Sequence, residues 1–183
     1  MYCPRPVFLR WIRAEMIAKA RELDSGGDYR LVKNDGLSEV QAGAYDLVLS
    51  VFTFDNIPGF ETKVRLFRDL GVLLNTGGKI VNVVSSSEIY VHEWASFSTK
   101  DFPENRFAQS GNTVRIITTD FADRRPAEDI LWTHESYQEV YRRAGLTPVA
   151  TYKPLANGDE PYKWVSETSI APWVVYVLMR QAS

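Results

Sequence analysis

Hydrophobic positions recur along this chain in two periods, and their alternation predicts a layered α/β domain. Val7-Phe8-Leu9-Arg10-Trp11-Ile12 is an apolar run of strand length. After it, Met16, Ile17, Ala20 and Leu23 recur at helical spacing, with Glu15 and Lys19 one turn apart on another face. Gly26-Gly27 is expected to stop that helix in the left-handed conformation that glycine adopts at little cost. Tyr29 to Val32 forms a second short strand. Tyr45-Asp46-Leu47-Val48-Leu49-Ser50-Val51 is stronger: its apolar residues do not alternate cleanly, which predicts a strand buried on both faces of a parallel sheet.

Val64, Phe67, Leu70 and Leu74 mark a second amphipathic helix starting near Glu61. Asn75-Thr76-Gly77-Gly78 should break it, and Lys79 to Val84 returns to a strand pattern. Strands and helices alternating at this spacing imply βα units and a doubly wound sheet. From Ser85 to Gly111 the periodicity dissolves into a polar, aromatic-rich stretch, long enough to be a lid or binding loop. Thr113 to Thr119 and Asp129 to Trp132 read as two short strands around a turn at 123–126, a small β insertion over about 113–132. Tyr137, Val140, Tyr141 and Ala144 mark a third helix, with Thr133 as N-cap and Gly145 just past its end. Thr147 to Tyr152 and Trp173 to Met179 are the last strands, and a second irregular loop joins them. No internal repeat or low-complexity linker divides the chain, so residues 1–183 read as one domain.

Composition narrows the partners. Lys and Arg total 21 against 23 Asp and Glu, a net charge of −2. That balance lacks the positive field that nucleic acid or an anionic membrane requires, so neither is an expected partner. The 13% aromatic share argues against disorder and for a packed core or pocket. Cys3 is the only cysteine, so neither an intrachain disulfide nor a thiolate metal site can form, and a reducing, cytoplasmic compartment is expected. Ile170 to Met179 is the most apolar late stretch, but its ten residues include Pro172. A membrane span needs roughly twenty.

The middle of the chain resembles a known family. Ala44 to Phe52, then a helix, then Leu73-Leu74-Asn75-Thr76-Gly77-Gly78-Lys79-Ile80-Val81, resembles the fourth and fifth strand region of class I S-adenosylmethionine-dependent methyltransferases. Ala14 to Glu22 is similar to the helix after their second strand, and Asn34-Asp35-Gly36 resembles the acidic turn after their third. The resemblance spans about residues 10–155. It implies a three-layer αβα sandwich around a mainly parallel, Rossmann-like sheet closed by an antiparallel terminal strand. It also implies S-adenosyl-L-methionine as cofactor and a small-molecule methyl acceptor.

The departures fall at the front. The family's first strand and the glycine-rich turn after it should precede the Glu15 helix, but only fourteen residues do so here. The two Gly-Gly pairs read as helix C-caps rather than as a cofactor cradle. Where a ribose-binding carboxylate should end the second strand, the sequence has Arg10-Trp11-Ile12-Arg13. The expectation is therefore an N-terminally truncated family member that binds its cofactor weakly or not at all. Losing a central strand would leave unpaired sheet edges. Either Val7 to Ile12 fills the central place, or a second chain donates a strand and makes a homo-oligomer, or the chain is a fragment.

By the resemblance, Asp35 accepts a hydrogen bond from the adenine amino group and Gly36 lets the ring approach. Ser50, Val51 and Phe52 lie at the carboxyl edge where open α/β sheets bind ligands. His92 begins a sequence like a zinc-protease helix but lacks the second histidine, so no metal is expected. It remains a candidate general base, because its ordinary pKa suits proton transfer near neutrality. A surface role is its alternative, and His134, next to the N-cap threonine, reads as a surface residue. Tyr90, Trp94 and Arg106 are candidate substrate contacts, with packing of the loop onto the sheet as the alternative for the aromatics. Two further functions stay open. One is a non-catalytic, methyltransferase-derived interaction domain; the other is a nucleotide-binding oxidoreductase, which would also need a glycine fingerprint.

Overall fold

The computed structural model describes residues 7–10, 14–31, 37, 40–120, 122 and 124–181. They fall into two compact units, Met1–Gln41 and Ala42–Ser183. In the first, β1 (Val7–Arg10) and β2 (Asp28–Leu31) pair in parallel on either side of α1 (Ala14–Leu23) in sequence, with Val7 opposite Asp28 and Arg10 opposite Leu31. Ile17 is the buried contact of α1. The helix does not end on a left-handed glycine, for neither Gly26 nor Gly27 has a positive φ. Asp24 closes it instead, accepting the Gly26 amide on its own carboxylate at 3.1 Å. Gly27 is required for a different reason, since a Cβ there would meet the Tyr29 ring.

The second unit is built on a four-stranded sheet. Its strands are β3 (Tyr45–Val51), β4 (Leu74–Ser85), β8 (Leu146–Tyr152) and β9 (Trp173–Arg180), in the order β3-β4-β9-β8. β3 and β4 run parallel, with Leu47 opposite Lys79 and Val51 opposite Val83. β9 is antiparallel to both β4 and β8. This mixed, Rossmann-like sheet with an antiparallel closing pair is the fold class that the sequence predicts.

Two helices serve one face of the sheet. Helix α2 (Phe60–Leu73) buries Val64, Leu66, Phe67 and Leu70; helix α3 (His134–Arg143) buries Tyr137, Val140 and Tyr141. Phe67 joins them, stacked on Phe54 at 4.0 Å and edge-on to Tyr141 at 4.9 Å. From the sheet, Asn82 donates to the Tyr141 hydroxyl at 2.9 Å, and the ring of Tyr176 lies 5.2 Å from that of Tyr141. Both ends of α3 follow their sequence signals. The Thr133 side chain accepts the Ser136 amide, and Gly145 stands at φ +75° just beyond.

The stretch after β4 folds on itself. Strands β5 (Phe97–Ser98), β6 (Thr113–Thr118) and β7 (Ala127–Ile130) form an antiparallel sheet in that order. The predicted insertion thus gains a third strand from within the aromatic loop. Its core is Ile89, Tyr90, Trp94, Val114, Ile116 and Leu131. Among the described residues, no helix is long and apolar enough to cross a membrane.

Two expectations need correction. The predicted break at Asn75 to Gly78 belongs to β4, which starts at Leu74 directly after the helix. Gly77 takes φ +82° inside that strand, and a Cβ on Gly78 would come within 2.8 Å of the Tyr45 carbonyl oxygen. The pair therefore admits a close strand approach rather than capping a helix. Nor is β3 buried on both faces. Leu47, Leu49 and Val51 are 56%, 63% and 46% exposed, while Ser50 on the other face is buried. An apolar run without clean alternation does not reveal which of its side chains face solvent.

Phe67 is fully buried where both helices and the sheet meet. Phe67→Ala should therefore cost about 3–5 kcal/mol, measured as the change in unfolding free energy by urea titration.

Candidate functional site

The site begins where β3 and β4 end, because parallel pairing brings their carboxyl termini to one edge. Immediately past β3, Phe52 takes φ +52°, a conformation that costs a non-glycine residue roughly 1–2 kcal/mol. It is held there by its amide, which donates to the Val83 carbonyl at 2.9 Å, and by its ring, 4.6 Å from that of Trp173. Strain of this kind collects at functional sites. Ser50, two residues earlier, is buried, and its hydroxyl oxygen has no hydrogen-bond partner among the described residues.

Three residues beyond Phe52, the Asp55 carboxylate joins the ends of the two strands. It accepts the Ser85 amide at 3.1 Å and the Ser85 hydroxyl at 3.0 Å, and Ser85 is the last residue of β4. The Asp55 carbonyl accepts the Ile130 amide from β7 at 3.3 Å. Asp129 stands beside it in sequence to that contact, and the Tyr90 hydroxyl donates to its carboxylate at 3.4 Å. Lys63 of α2 is fully buried below, donating to the Phe54 carbonyl. Its ammonium lies 4.7 Å from the centre of the Trp132 ring and 5.6 Å from that of Tyr137.

Burial dominates the electrostatics. It pushes the Asp55 carboxyl up to about 6, against the two Ser85 hydrogen bonds and the Lys63 charge that favour ionisation, and Asp129 pushes the same way as burial. Burial likewise lowers the Lys63 ammonium to about 7, with Asp55 acting against it. Asp129 is raised by burial, despite hydrogen bonds from Asn56 and Tyr90. Two carboxyls and an amine are thus tuned toward neutrality at one sheet edge. Asp55 near 6 and Lys63 near 7 can take up or release a proton at working pH.

The sequence-predicted residues distribute unevenly. Asp35 and Gly36 lie outside the described residues, as do Trp11, Ile12 and Arg13. Ser50, Val51 and Phe52 stand at the carboxyl edge as expected. Tyr90 belongs to the carboxylate cluster through Asp129. His92 is bonded to Glu88 at 3.1 Å, one turn back, and its ring meets Trp94 edge-on. Trp94 is buried in the insertion's core, its indole N–H donating to the Ile89 carbonyl at 2.8 Å. Arg106 lines a cavity of about 170 Å³ with Tyr90, Glu93 and Lys100. His134 is not simply a surface residue, for its ring shares a 2.7 Å hydrogen bond with the Tyr176 hydroxyl. Glu167 of the late loop is a staple. Burial works against its charge, yet the amides of Ala95, Val165 and Ser166 hold its carboxyl below the usual range.

Sequence reasoning missed Asp55, Lys63 and Asp129. A signal for Asp55 existed in Phe54-Asp55-Asn56-Ile57, a polar pair flanked by Phe54 and Ile57 just past a strand's carboxyl end. Lys63 gave none, since a lysine one residue before a buried valine on a helix reads as solvated.

No family model matches the sequence, and no curated protein does. Solved structures do match. A methyltransferase dependent on S-adenosylmethionine from Methanosarcina mazei aligns with a TM-score of 0.62 at 10% identity, over 96% of this chain and 81% of its own. One from Mesorhizobium loti aligns at 0.60 and 18% identity, covering 92% and 77%. A third, from Clostridium acetobutylicum, gives 0.55 and 11%, covering 93% and 73%. At these identities the likeness is one of fold: the chain has the α/β fold of S-adenosylmethionine-dependent methyltransferases.

The buried pair predicts an unusual pH profile. Asp55 holds its proton in the folded chain up to about 6, against 3.8 when unfolded, so stability falls as pH rises through that window. Lys63 releases its proton near 7 when folded but at 10.5 when unfolded, so stability recovers as pH rises between those values. Thermal melts across this range should show a minimum near pH 6–7 from the pair. Asp55→Asn should flatten the acid side and Lys63→Met the alkaline side. Profiles parallel to the wild type's would show that neither ionisation is coupled to folding.

Proposed function

We propose that this chain is a methyltransferase domain that uses S-adenosyl-L-methionine to methylate a small molecule. The observation that carries the reading is the carboxyl edge of β3 and β4, where strained Phe52, buried Ser50 and the Asp55 carboxylate follow one another on a methyltransferase fold. The unpartnered Ser50 hydroxyl and the turned backbone at Phe52 fit one wall of a cofactor site, as expected for Ser50, Val51 and Phe52. From the sequence resemblance, Asp35 and Gly36 are the residues assigned to adenine. When bound, the cofactor supplies a sulfonium methyl group for displacement by the acceptor's lone pair. The chain's own task is then to align the acceptor and receive any proton it releases.

Asp55 suits that second task better than His92. A carboxyl titrating near 6 is largely ionised at neutral pH yet basic enough to accept a proton, whereas His92 is bonded outward to Glu88. Tyr90, buried and hydrogen-bonded to Asp129, would hold that carboxylate in place at the same edge rather than touch an acceptor; Trp94 would support the wall from behind, and Arg106 would line its outer rim. The single cysteine supports a reducing, cytoplasmic setting.

A second reading has one observation in its favour. A non-catalytic interaction domain derived from the same fold would expose an apolar surface, as β3 does at Leu47 and Leu49. Calorimetric titration with S-adenosylhomocysteine and with NADH separates the readings. The expected outcome is weak binding of S-adenosylhomocysteine, weaker than micromolar, lost on Asp35→Ala, and none of NADH. Binding of neither would favour the interaction domain, and tight NADH binding would favour an oxidoreductase. Micromolar S-adenosylhomocysteine binding would show that cofactor affinity is unimpaired.

A further inference from the structure

The cavity of about 170 Å³ beside Tyr90 carries charges that the packing of the insertion does not use. Its lining comes from one stretch of chain, residues 90–106, folded back on itself. Hydrogen bonds brace that stretch. The buried Asn105 side chain donates to the Tyr90 carbonyl at 3.0 Å and to the Arg115 carbonyl at 2.8 Å, and it accepts the Arg115 amide at 3.2 Å. The Thr99 hydroxyl donates to the His92 carbonyl at 2.9 Å, and the Thr99 carbonyl accepts the Phe102 amide at 2.9 Å. The cavity is therefore held in shape without a ligand.

Most of its polar lining is spent on such contacts. The Tyr90 hydroxyl is turned to Asp129. The Glu93 carboxylate accepts the Thr99 amide at 2.6 Å. Burial opposes its charge, but hydrogen bonds from Thr99, Ser98 and the Lys100 amide outweigh burial and hold the carboxyl below its usual range. Lys100 and Arg106 remain. Among the described residues neither forms an ion pair, and the neighbouring acids Asp101 and Glu104 do not line the cavity. Two cations against one engaged carboxylate leave a lining of positive sign.

Size and chemistry select the ligand together. An apolar cavity of about 150 Å³ holds one benzene molecule, so this one has room for a single small ring. Val91, Phe102 and Pro103 give that ring apolar walls. A guanidinium and an ammonium on the same cavity favour an anion, and the planar guanidinium fork matches a carboxylate. Inorganic phosphate would satisfy the charges but leave the apolar walls unfilled.

We propose that this cavity binds a small carboxylic acid with one apolar ring, its carboxylate facing Lys100 and Arg106. The ring lies against Phe102 and Pro103. The site does not rest on methyl transfer, since its test reads binding alone and needs neither cofactor nor acceptor.

Titration of the intact chain with benzoate, followed by amide chemical shifts and by calorimetry, tests it. Benzoate should bind with a roughly millimolar dissociation constant or tighter, as fits a ligand of about nine heavy atoms. The amides of Val91, Thr99 and Phe102 should shift. Lys100→Gln and Arg106→Gln should each weaken binding by about tenfold or more, the loss of one charge-assisted hydrogen bond. Neither side chain takes part in the bracing contacts, so the rest of the amide spectrum should stay unchanged. Benzyl alcohol, which lacks the charge, and inorganic phosphate, which lacks the ring, should each bind at least about tenfold more weakly than benzoate. Arg142→Gln on α3 should leave benzoate binding as it is. A wild type that does not bind benzoate, or shifts confined to residues outside 90–106, would overturn the proposal. So would equal binding of benzyl alcohol or of phosphate, or a double Lys100→Gln, Arg106→Gln variant that binds benzoate as before.

Discussion

Parallel pairing of β3 with β4 is the constraint on which the second unit depends. With Leu47 to Val51 held against Lys79 to Val83, both strands end together. That alignment lets the Asp55 carboxylate reach the Ser85 amide and lets the Phe52 amide continue the ladder to Val83. A shift of one residue would exchange the faces of every side chain, sending Ser50 outward and Leu49 against α2. The carboxyl edge, the strained turn and the buried acid are consequences of one register.

Beneath that edge the protein tolerates groups that a purely structural core would avoid. A fully buried lysine and a nearly buried aspartate carry desolvation costs, which apolar replacements would remove. Lys63 is stabilised by the Phe54 carbonyl and by the faces of Trp132 and Tyr137 rather than by a close ion pair. Aromatic faces offset only part of the lost hydration, so the amine titrates low. Two polar atoms of the same neighbourhood, the Trp132 indole N–H and the Tyr137 hydroxyl, have no hydrogen-bond partner among the described residues. Unsatisfied polarity of this kind does not add stability.

The sheet is also two-faced. One face carries Asn82, Tyr176 and Leu178 into the helices, and it is closed by aromatic contacts and a buried hydrogen bond. The other carries valines and leucines toward solvent. Hydrophobic burial favours covering such a surface, at roughly 25 cal/mol for each Å² removed from water.

Much of the architecture is written locally. The largely apolar segment Tyr45 to Val51, the helical spacing of Val64, Phe67 and Leu70, the Thr133 cap and Gly145 determined β3, α2 and α3, because those signals act between residues a turn or a strand apart. The insertion followed from its strand patterns and turn residues in the same way, and the antiparallel closing strand from the family resemblance. What lay beyond the sequence depended on partners distant in the chain. Gly77 belongs to a strand because Gly78 passes close to the Tyr45 carbonyl, and Lys63 is buried because Trp132 and Tyr137 arrive from the far side of the insertion. Which residues of β3 face solvent is set by what packs over the sheet, which an apolar run cannot encode. Periodicity and capping are short-range and legible one segment at a time. Burial, edge position and perturbed ionisation are properties of who packs against whom, and only the assembled sheet decided them.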